Sequence, residues 1–211
     1  LAVSMVGVKL GDRVLQVGCG SGAMFAALAA KVGLTGRACA VDATAAGVAK
    51  GQRAAERAGV LVEIAEAPCR ALPHDADTFD IVVLHDVLAP AHEEDRAGAL
   101  REARRVVRDG GRVLVVETVR RGIAALLSQP AVDPGYATSG GADAALKAAG
   151  LVAVRTLTER EGLRFIEGVK PSTGLGAQPL SALVSNGRVY SNSAAQAADL
   201  VKFTVIQVDA D

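Results

Sequence analysis

"RVLQVGCGSG", residues 13–22, holds too many glycines for a strand and too many aliphatic residues for a linker. Val14, Leu15 and Val17 read as a short buried strand, Gly18, Gly20 and Gly22 follow at once, and the alanine-rich run from Ala23 to Lys31 reads as a helix. A strand that breaks into glycines and restarts as a helix leaves unpaired backbone N–H groups at the helix start, with no Cβ to bar an approaching ligand. Such a loop suits a nucleotide-like cofactor.

Beyond this loop the chain alternates. "RACAVDA" (37–43) reads as a second strand, residues 45–59 as a helix closed by a glycine, and "LVEIAEA" (61–67) as a third strand. "FDIVVLH" (79–85) is the near-continuous apolar run of a strand buried on both faces. Residues 92–111 read as an amphipathic helix with acids early, bases late and glycines after its end, and "RVLVVET" (112–118) as a fifth strand. This order predicts an α/β fold with a Rossmann-like, doubly wound, mostly parallel sheet and its ligand crevice at the carboxyl ends of the strands.

From Arg120 to Gly150 the pattern is helical, interrupted by "QPAVDPGYATSGG" (129–141), a loop expected to border the pocket. "LVAVRTLTEREGLRFIEGVK" (151–170) reads as two strands around a Glu161-Gly162 turn, an antiparallel hairpin at the C-terminal edge of the sheet. From Pro171 the composition changes. Asn186-Gly187 inside "ALVSNGRVYS" (182–191) signals a second hairpin, and "FTVIQVD" (203–209) one more strand. The expected division is a main domain over 1–170 and a C-terminal extension over 171–211.

Composition narrows the partners. The 211 residues are 50% hydrophobic, enough for one sizeable core, and Lys+Arg equals Asp+Glu at 23 each. No basic run is interleaved with aromatic residues, so the footprint of a nucleic-acid binder is absent. Cys19, Cys39 and Cys69 form no CxxC pair, which speaks against a disulfide framework or zinc site and for a reducing compartment. No run of about 18 apolar residues marks a membrane span, and the start lacks the pattern of a signal peptide, so the cytoplasm is the expected location. The chain starts at Leu1 and its first strand follows almost at once, so an upstream segment is expected to be missing.

Two cofactor readings fit the glycine loop. Gly18-x-Gly20-x-x-Ala23 matches the dinucleotide fingerprint, and Gly18-x-Gly20-x-Gly22 matches the loop of class I S-adenosylmethionine-dependent methyltransferases. Asp42, at the end of the second strand, is placed to accept both ribose hydroxyls of an adenosine in either reading, or else to cap the helix that follows. "LPHDADTFDIVVLHDVL" (72–88) and "REARRVVRDGGRVLVVE" (101–117) separate them. From about Val8 to Lys170 the chain resembles a class I methyltransferase of the small-molecule group that includes the quinone-pathway enzymes. The resemblance implies S-adenosylmethionine as cofactor, S-adenosylhomocysteine as product, and methyl transfer to oxygen or carbon of a small molecule rather than to nitrogen. An NAD(P)-dependent oxidoreductase and a non-catalytic S-adenosylmethionine-binding relative stay as alternatives.

The resemblance assigns cofactor contacts to Gln16, Gly18, Cys19, Gly20, Gly22, Asp42, Cys69, Arg70 and His85. Gln16 stands where the family carries an acid that helps anchor the cofactor's amino-acid end, and an amide offers an ammonium less Coulomb stabilisation. In "EAPCRALP" (66–73), Pro68 replaces the acid that would contact the adenine amino group, leaving backbone groups near Cys69 and Arg70 to read that edge. Asp109 stands where a proline is common. His85 closes the fourth strand beside Asp86. It is the candidate catalytic residue, orienting or deprotonating an acceptor hydroxyl, or else a histidine bonded locally. His92, Glu93, Glu94 and Asp95 read as the solvated first turn of a helix, and no metal site is expected. No Asn-Pro-Pro-Tyr type tetrapeptide follows the fourth strand, which argues against methylation of nucleobase amino groups. With two Tyr, four Phe and no Trp, a cage for a cationic acceptor is unsupported. Nothing in the sequence indicates the oligomeric state.

Overall fold

The computed structural model describes residues 2–119 and 132–172, together with the short strands at 184–185 and 188–189. Its elements are α1 (Ala2–Val6), β1 (Arg13–Val17), α2 (Ala23–Val32), β2 (Arg37–Asp42), α3 (Ala45–Ala58), β3 (Glu63–Glu66), β4 (Phe79–His85), α4 (Glu93–Val106), β5 (Val107–Thr118), α5 (Pro134–Thr138), α6 (Gly141–Ala148), β6 (Val152–Arg160) and β7 (Leu163–Val169). They form a seven-stranded sheet in the order β3-β2-β1-β4-β5-β7-β6. The first five strands pair in parallel, and β7 runs antiparallel to both β5 and β6. The α/β, mostly parallel sheet with an antiparallel C-terminal edge is the architecture the sequence predicts.

Side-chain alternation along the central strands feeds two apolar layers. Leu15, Val17, Val82, Leu84, Val113 and Val115 pack on one face with Leu100 and Ala103 of α4 and Leu146 of α6. Val14, Ile81, Val83, Leu114 and Val116 pack on the other with Val6 of α1 and with Phe25 and Leu28 of α2. Burial on both faces is why β4 carries hardly a polar residue. The helices are bounded by local chemistry: Thr44 caps α3 by accepting the Gly47 N–H at 3.0 Å, and Gly59 ends it with φ +65°.

Three expectations need correction. The helix expected over 92–111 stops at Val106, and β5 begins at Val107 rather than Arg112. Val107 pairs with Phe79, the register then shifts, and Arg112 pairs with Ile81. The end of β7 holds this segment: Gly110 N–H donates to Lys170 O, Lys170 N–H donates to Gly111 O, and Lys170 Nζ donates to Val107 O. Sheet pairing therefore overrides the helical period of "RRVVRD". The third strand is shorter than 61–67, because its partner β2 ends at Asp42, and Leu61 is 81% exposed. Finally, part of the expected loop over 129–141 is the helix α5, which Asp133 caps by accepting the Gly135 N–H at 2.7 Å, with Pro134 at its first position.

The chain divides into two compact units, Leu1–Thr173 and Gly174–Asp211. In the second, β8 (Val184–Ser185) and β9 (Arg188–Val189) pair antiparallel on either side of the Asn-Gly dipeptide expected to turn a hairpin. That dipeptide, the expected strand at 203–209 and the start of the helical pattern from Arg120 lie outside the described residues. Among the described residues no helix is long and apolar enough to cross a membrane.

Candidate functional site

The carboxyl ends of β1, β2 and β4 meet at the glycine loop. Gly18, Gly20 and Gly22 have φ of +85°, +54° and +81°, and each has a different neighbour. A Cβ on Gly18 would land on the His85 carbonyl oxygen. One on Gly20 would sit 2.9 Å from Cε1 and 3.1 Å from Nδ1 of the His85 ring. One on Gly22 would sit 2.6 Å from Ala54 Cβ, so Gly22 serves the contact between α2 and α3. Positive φ together with these approaches leaves no room for a side chain at any of the three.

The loop is bonded to β2. Gly18 N–H donates to Val41 O and Cys19 N–H to Asp42 Oδ2, both at 2.8 Å. The other Asp42 oxygen accepts from Thr44 N–H at 3.0 Å and Thr44 Oγ1 at 2.9 Å. Asp42 thus ties the glycine loop to the start of α3, while Thr44 does the capping. Burial pushes the Cys19 thiol up to about 11, with the Asp42 charge adding, so what Cys19 brings to the site is its backbone N–H.

Two polar atoms beside the loop are buried with no hydrogen-bond partner. Gln16 is fully buried; its Nε2 donates to Gly18 O at 2.8 Å, and its Oε1 is unpaired. His85 Nδ1 is also unpaired, while its Nε2 lies 3.8 Å from Asp86 Oδ2. Burial holds the His85 pKa below the usual imidazole value, against the pull of Asp86. Asp86, at φ +52°, clamps the end of β5: its carboxylate accepts from Thr118 N–H at 2.7 Å and Thr118 Oγ1 at 2.6 Å.

Cys69 and Arg70 lie in a separate turn. It starts beside the Asp42 corner, where Ala67 N–H donates to Asp42 O at 3.0 Å, and it closes through Ala71 N–H to Pro68 O. Arg70 turns its side chain to α4, 3.6 Å from Asp95, and Cys69 packs against the core. The structure therefore gathers Gln16, Gly18, Cys19, Gly20, Asp42 and His85 around one loop, sets Gly22 behind it, and puts the turn of Cys69 and Arg70 at its β3 side. Among the described residues no cluster of His, Cys, Asp and Glu is arranged to hold a metal ion.

A second arrangement was not singled out from the sequence. A cleft of about 500 Å³ opens at the end of β5, lined among others by Glu117, Thr118, Tyr136, Thr156 and Arg164. Tyr136 donates to Glu117 Oε1 at 2.5 Å, and burial followed by that carboxylate raises its pKa, so the phenol stays a donor. Behind it the buried Arg96 guanidinium stacks 4.5 Å from the Tyr136 ring centroid, donates to Leu88 O and Ala91 O, and pairs with Asp133 at 3.1 Å. The available signal was spacing: Arg96 shares the apolar stripe of Ala99, Leu100 and Ala103.

A methyltransferase-domain family model matches residues 14–111, which carry the glycine loop, β2 to β4 and nearly all of β1. The chain is 32% identical over 130 residues to the ubiquinone/menaquinone biosynthesis C-methyltransferase UbiE of Escherichia coli, covering 61% of this chain and 47% of that protein. The chain is thus similar to S-adenosylmethionine-dependent methyltransferases over its N-terminal half and more. Solved structures agree on the fold of this chain. An S-adenosylmethionine-dependent methyltransferase from Aquifex aeolicus aligns with a TM-score of 0.64 and 20% identity, covering 79% of this chain and 86% of the other. The [4+2]-cyclase SpnF aligns with a TM-score of 0.60 and 17% identity, covering 81% and 78%. The chain spans about half the length of the curated relatives it matches.

The cofactor of those methyltransferases is S-adenosylmethionine, and the residues present fit it. The glycine loop admits no side chain, the half-buried Asp42 carboxylate stands at the end of β2, and two buried polar atoms beside the loop await partners.

Proposed function

We propose that this chain transfers a methyl group from S-adenosylmethionine to oxygen or carbon of a small molecule seated in the cleft at the end of β5. The observation that carries the reading is the Asp86–Thr118 clamp. Thr118 lines the cleft and Asp86 follows His85, so the acceptor cleft and the cofactor loop share one fixed boundary. Asp42 would accept from the ribose, the glycine loop would give the cofactor room to approach the backbone, and backbone groups of the Cys69 and Arg70 turn would read the adenine edge.

The bound cofactor supplies a sulfonium methyl already activated for displacement. What this chain would add is position: the cleft would hold the acceptor beside the glycine loop, so that proximity and orientation contribute most. With the Tyr136 proton committed to Glu117, the Tyr136 oxygen and the remaining lone pairs of the Glu117 carboxylate offer acceptors to the bound molecule, beside apolar lining from Ala89, Val132 and Ile166. The name of the Escherichia coli relative, a C-methyltransferase of ubiquinone and menaquinone biosynthesis, supports a carbon acceptor. Equal numbers of acidic and basic residues favour a small molecule over nucleic acid. Three free thiols, two of them buried, favour a reducing compartment such as the cytoplasm.

Because a cyclase shares this fold, transfer itself must be measured. Calorimetry with S-adenosylmethionine, S-adenosylhomocysteine and NADH, followed by methyl-label transfer to a panel of phenols and quinols, tests the reading. Binding of the first two and a labelled product support it. Binding of NADH alone, or tight S-adenosylmethionine binding with no transfer to any panel member, overturns it.

A further inference from the structure

We propose that the Gln16 side-chain carbonyl and His85 Nδ1 form a two-acceptor seat for the cofactor's α-ammonium group, and that protonation of His85 closes this seat to the cofactor. The inference rests on the reading that S-adenosylmethionine occupies the glycine loop, and it adds a recognition chemistry and an acid switch to that site.

The two side chains share a face. β1 and β4 run parallel with Gln16 opposite Val83, so His85 lies two residues further along the neighbouring strand. Alternation puts Gln16 and His85 on the side of Val14, Ile81 and Val83. Strand spacing and rise set their Cα atoms about 8 Å apart, a gap that two such side chains can bridge through one small group between them. Both flank the same loop, Gln16 through Gly18 O and His85 through Gly20.

Both atoms are acceptors. Gln16 Nε2 must face Gly18 O, because the reverse orientation would set two oxygens against each other, so Oε1 is the free end. The Asp86 carboxylate beside His85 Nε2 favours the tautomer with its proton there, which leaves a lone pair on Nδ1. A buried acceptor without a donor forfeits its hydration, and a ligand donor restores it. An ammonium group carries three N–H donors and no acceptor, and so satisfies two acceptors at once. The seat has no carboxylate: where an acid would anchor the ammonium by charge, this chain uses two neutral lone pairs.

Neutral recognition depends on the imidazole staying neutral. Around the ring, β1 brings Gln16, the glycine loop brings Gly20, β5 brings Val116 and the end of β4 brings Asp86, so Asp86 is the charged group that faces it. A proton on Nδ1 turns the acceptor into a donor and sets a cation against the ammonium. Burial holds the His85 pKa below its ordinary value of about 6.5, so the seat is open at neutral pH. Affinity then falls as pH drops through the lowered value, by up to about tenfold for each pH unit beyond it.

The test is calorimetric titration of the protein with S-adenosylhomocysteine and with its deaminated analogue, which keeps the adenosine and the carboxylate. Each is run at neutral and mildly acidic pH, and the ligand-free melting temperature shows that the protein stays folded. We expect the amino compound to bind more tightly at neutral pH and to lose that advantage in acid, with the deaminated analogue unaffected. His85→Gln keeps an acceptor that does not titrate, so its affinity should hold at both pH values. Gln16→Glu should tighten binding of the amino compound at neutral pH. Equal affinities for the two ligands overturn the ammonium seat while leaving the cofactor reading standing. The same acid loss in His85→Gln, or for the deaminated analogue, overturns the switch. If neither ligand binds at neutral pH, the cofactor reading and this inference fall together.

Discussion

Gly47→Ala should destabilise the protein in a way that depends wholly on Asp42. Gly47 is the third residue of α3, where alanine would ordinarily strengthen a helix by about 1 kcal/mol. Here a Cβ would land within the Asp42 carboxylate, which must leave its bonds to Cys19 N–H, Thr44 N–H and Thr44 Oγ1. The partly buried, charge-assisted bond from Cys19 contributes about 1.5–3 kcal/mol, and the two exposed bonds from Thr44 add a few tenths each. Set against the gain in helix propensity, the net loss is about 1–2.5 kcal/mol. In an Asp42→Ala background the obstacle is gone and the same substitution should stabilise by about 0.5–1 kcal/mol. Urea unfolding of wild type, both single variants and the double variant, without ligand, reads this reversal of sign as a coupling energy of about 1.5–3.5 kcal/mol. A Gly47→Ala variant more stable than wild type, or equally costly in both backgrounds, would refute the assigned role of the Asp42 carboxylate.

Asp42→Ala should also weaken S-adenosylhomocysteine binding by about 1–3 kcal/mol, because it removes the ribose acceptor and frees the loop; an unchanged dissociation constant would confine Asp42 to architecture. Arg96→Met keeps the length of the buried side chain but strips Asp133 and the Leu88 and Ala91 carbonyls of their donor, so the urea midpoint should report a loss of about 3–4 kcal/mol. A loss under about 1 kcal/mol would mean that water replaces the guanidinium. Asp80 is part-buried, which by itself would raise its pKa, but hydrogen bonds from Arg108 and the Arg13 N–H hold it below the usual carboxylate range. Its contribution is present above the unfolded value of about 3.9 and fades as pH falls through the lower folded one, so the stability gap between wild type and Asp80→Asn should be full at neutral pH and close in strong acid. A gap independent of pH would contradict this.

The strands and the loop were legible because their signals are local. Three alternate glycines after Val17 leave few alternatives to a cofactor turn, and the run Phe79–His85 is too continuously apolar for any but a central strand. That Gln16, Asp42 and His85 gather around the loop was legible for the same reason, since they stand at or near strand ends that parallel pairing must bring to one edge. What the sequence hid depends on partners far along the chain. Val107 to Gly111 continue a helical pattern, and it is Lys170, some sixty residues on, that draws them into the sheet. Arg96 reads as one charge among many until Asp133 and Tyr136 close over it. The unpaired ends of Gln16 and His85 follow from side-chain orientation, which spacing does not encode.

In the proposed reading, the clamp between Asp86 and Thr118 would set a fixed gauge between donor and acceptor. With β4 and β5 locked at their tips by both oxygens of one carboxylate, strand sliding cannot adjust the distance from the glycine loop to the near wall of the cleft. A new acceptor of different size must be accommodated on the far wall, where Tyr136, Thr156 and Arg164 stand on other elements. On that reading, exchange of substrate and constancy of the donor side would fall to separate parts of the chain, so the far wall could drift without detuning the reaction.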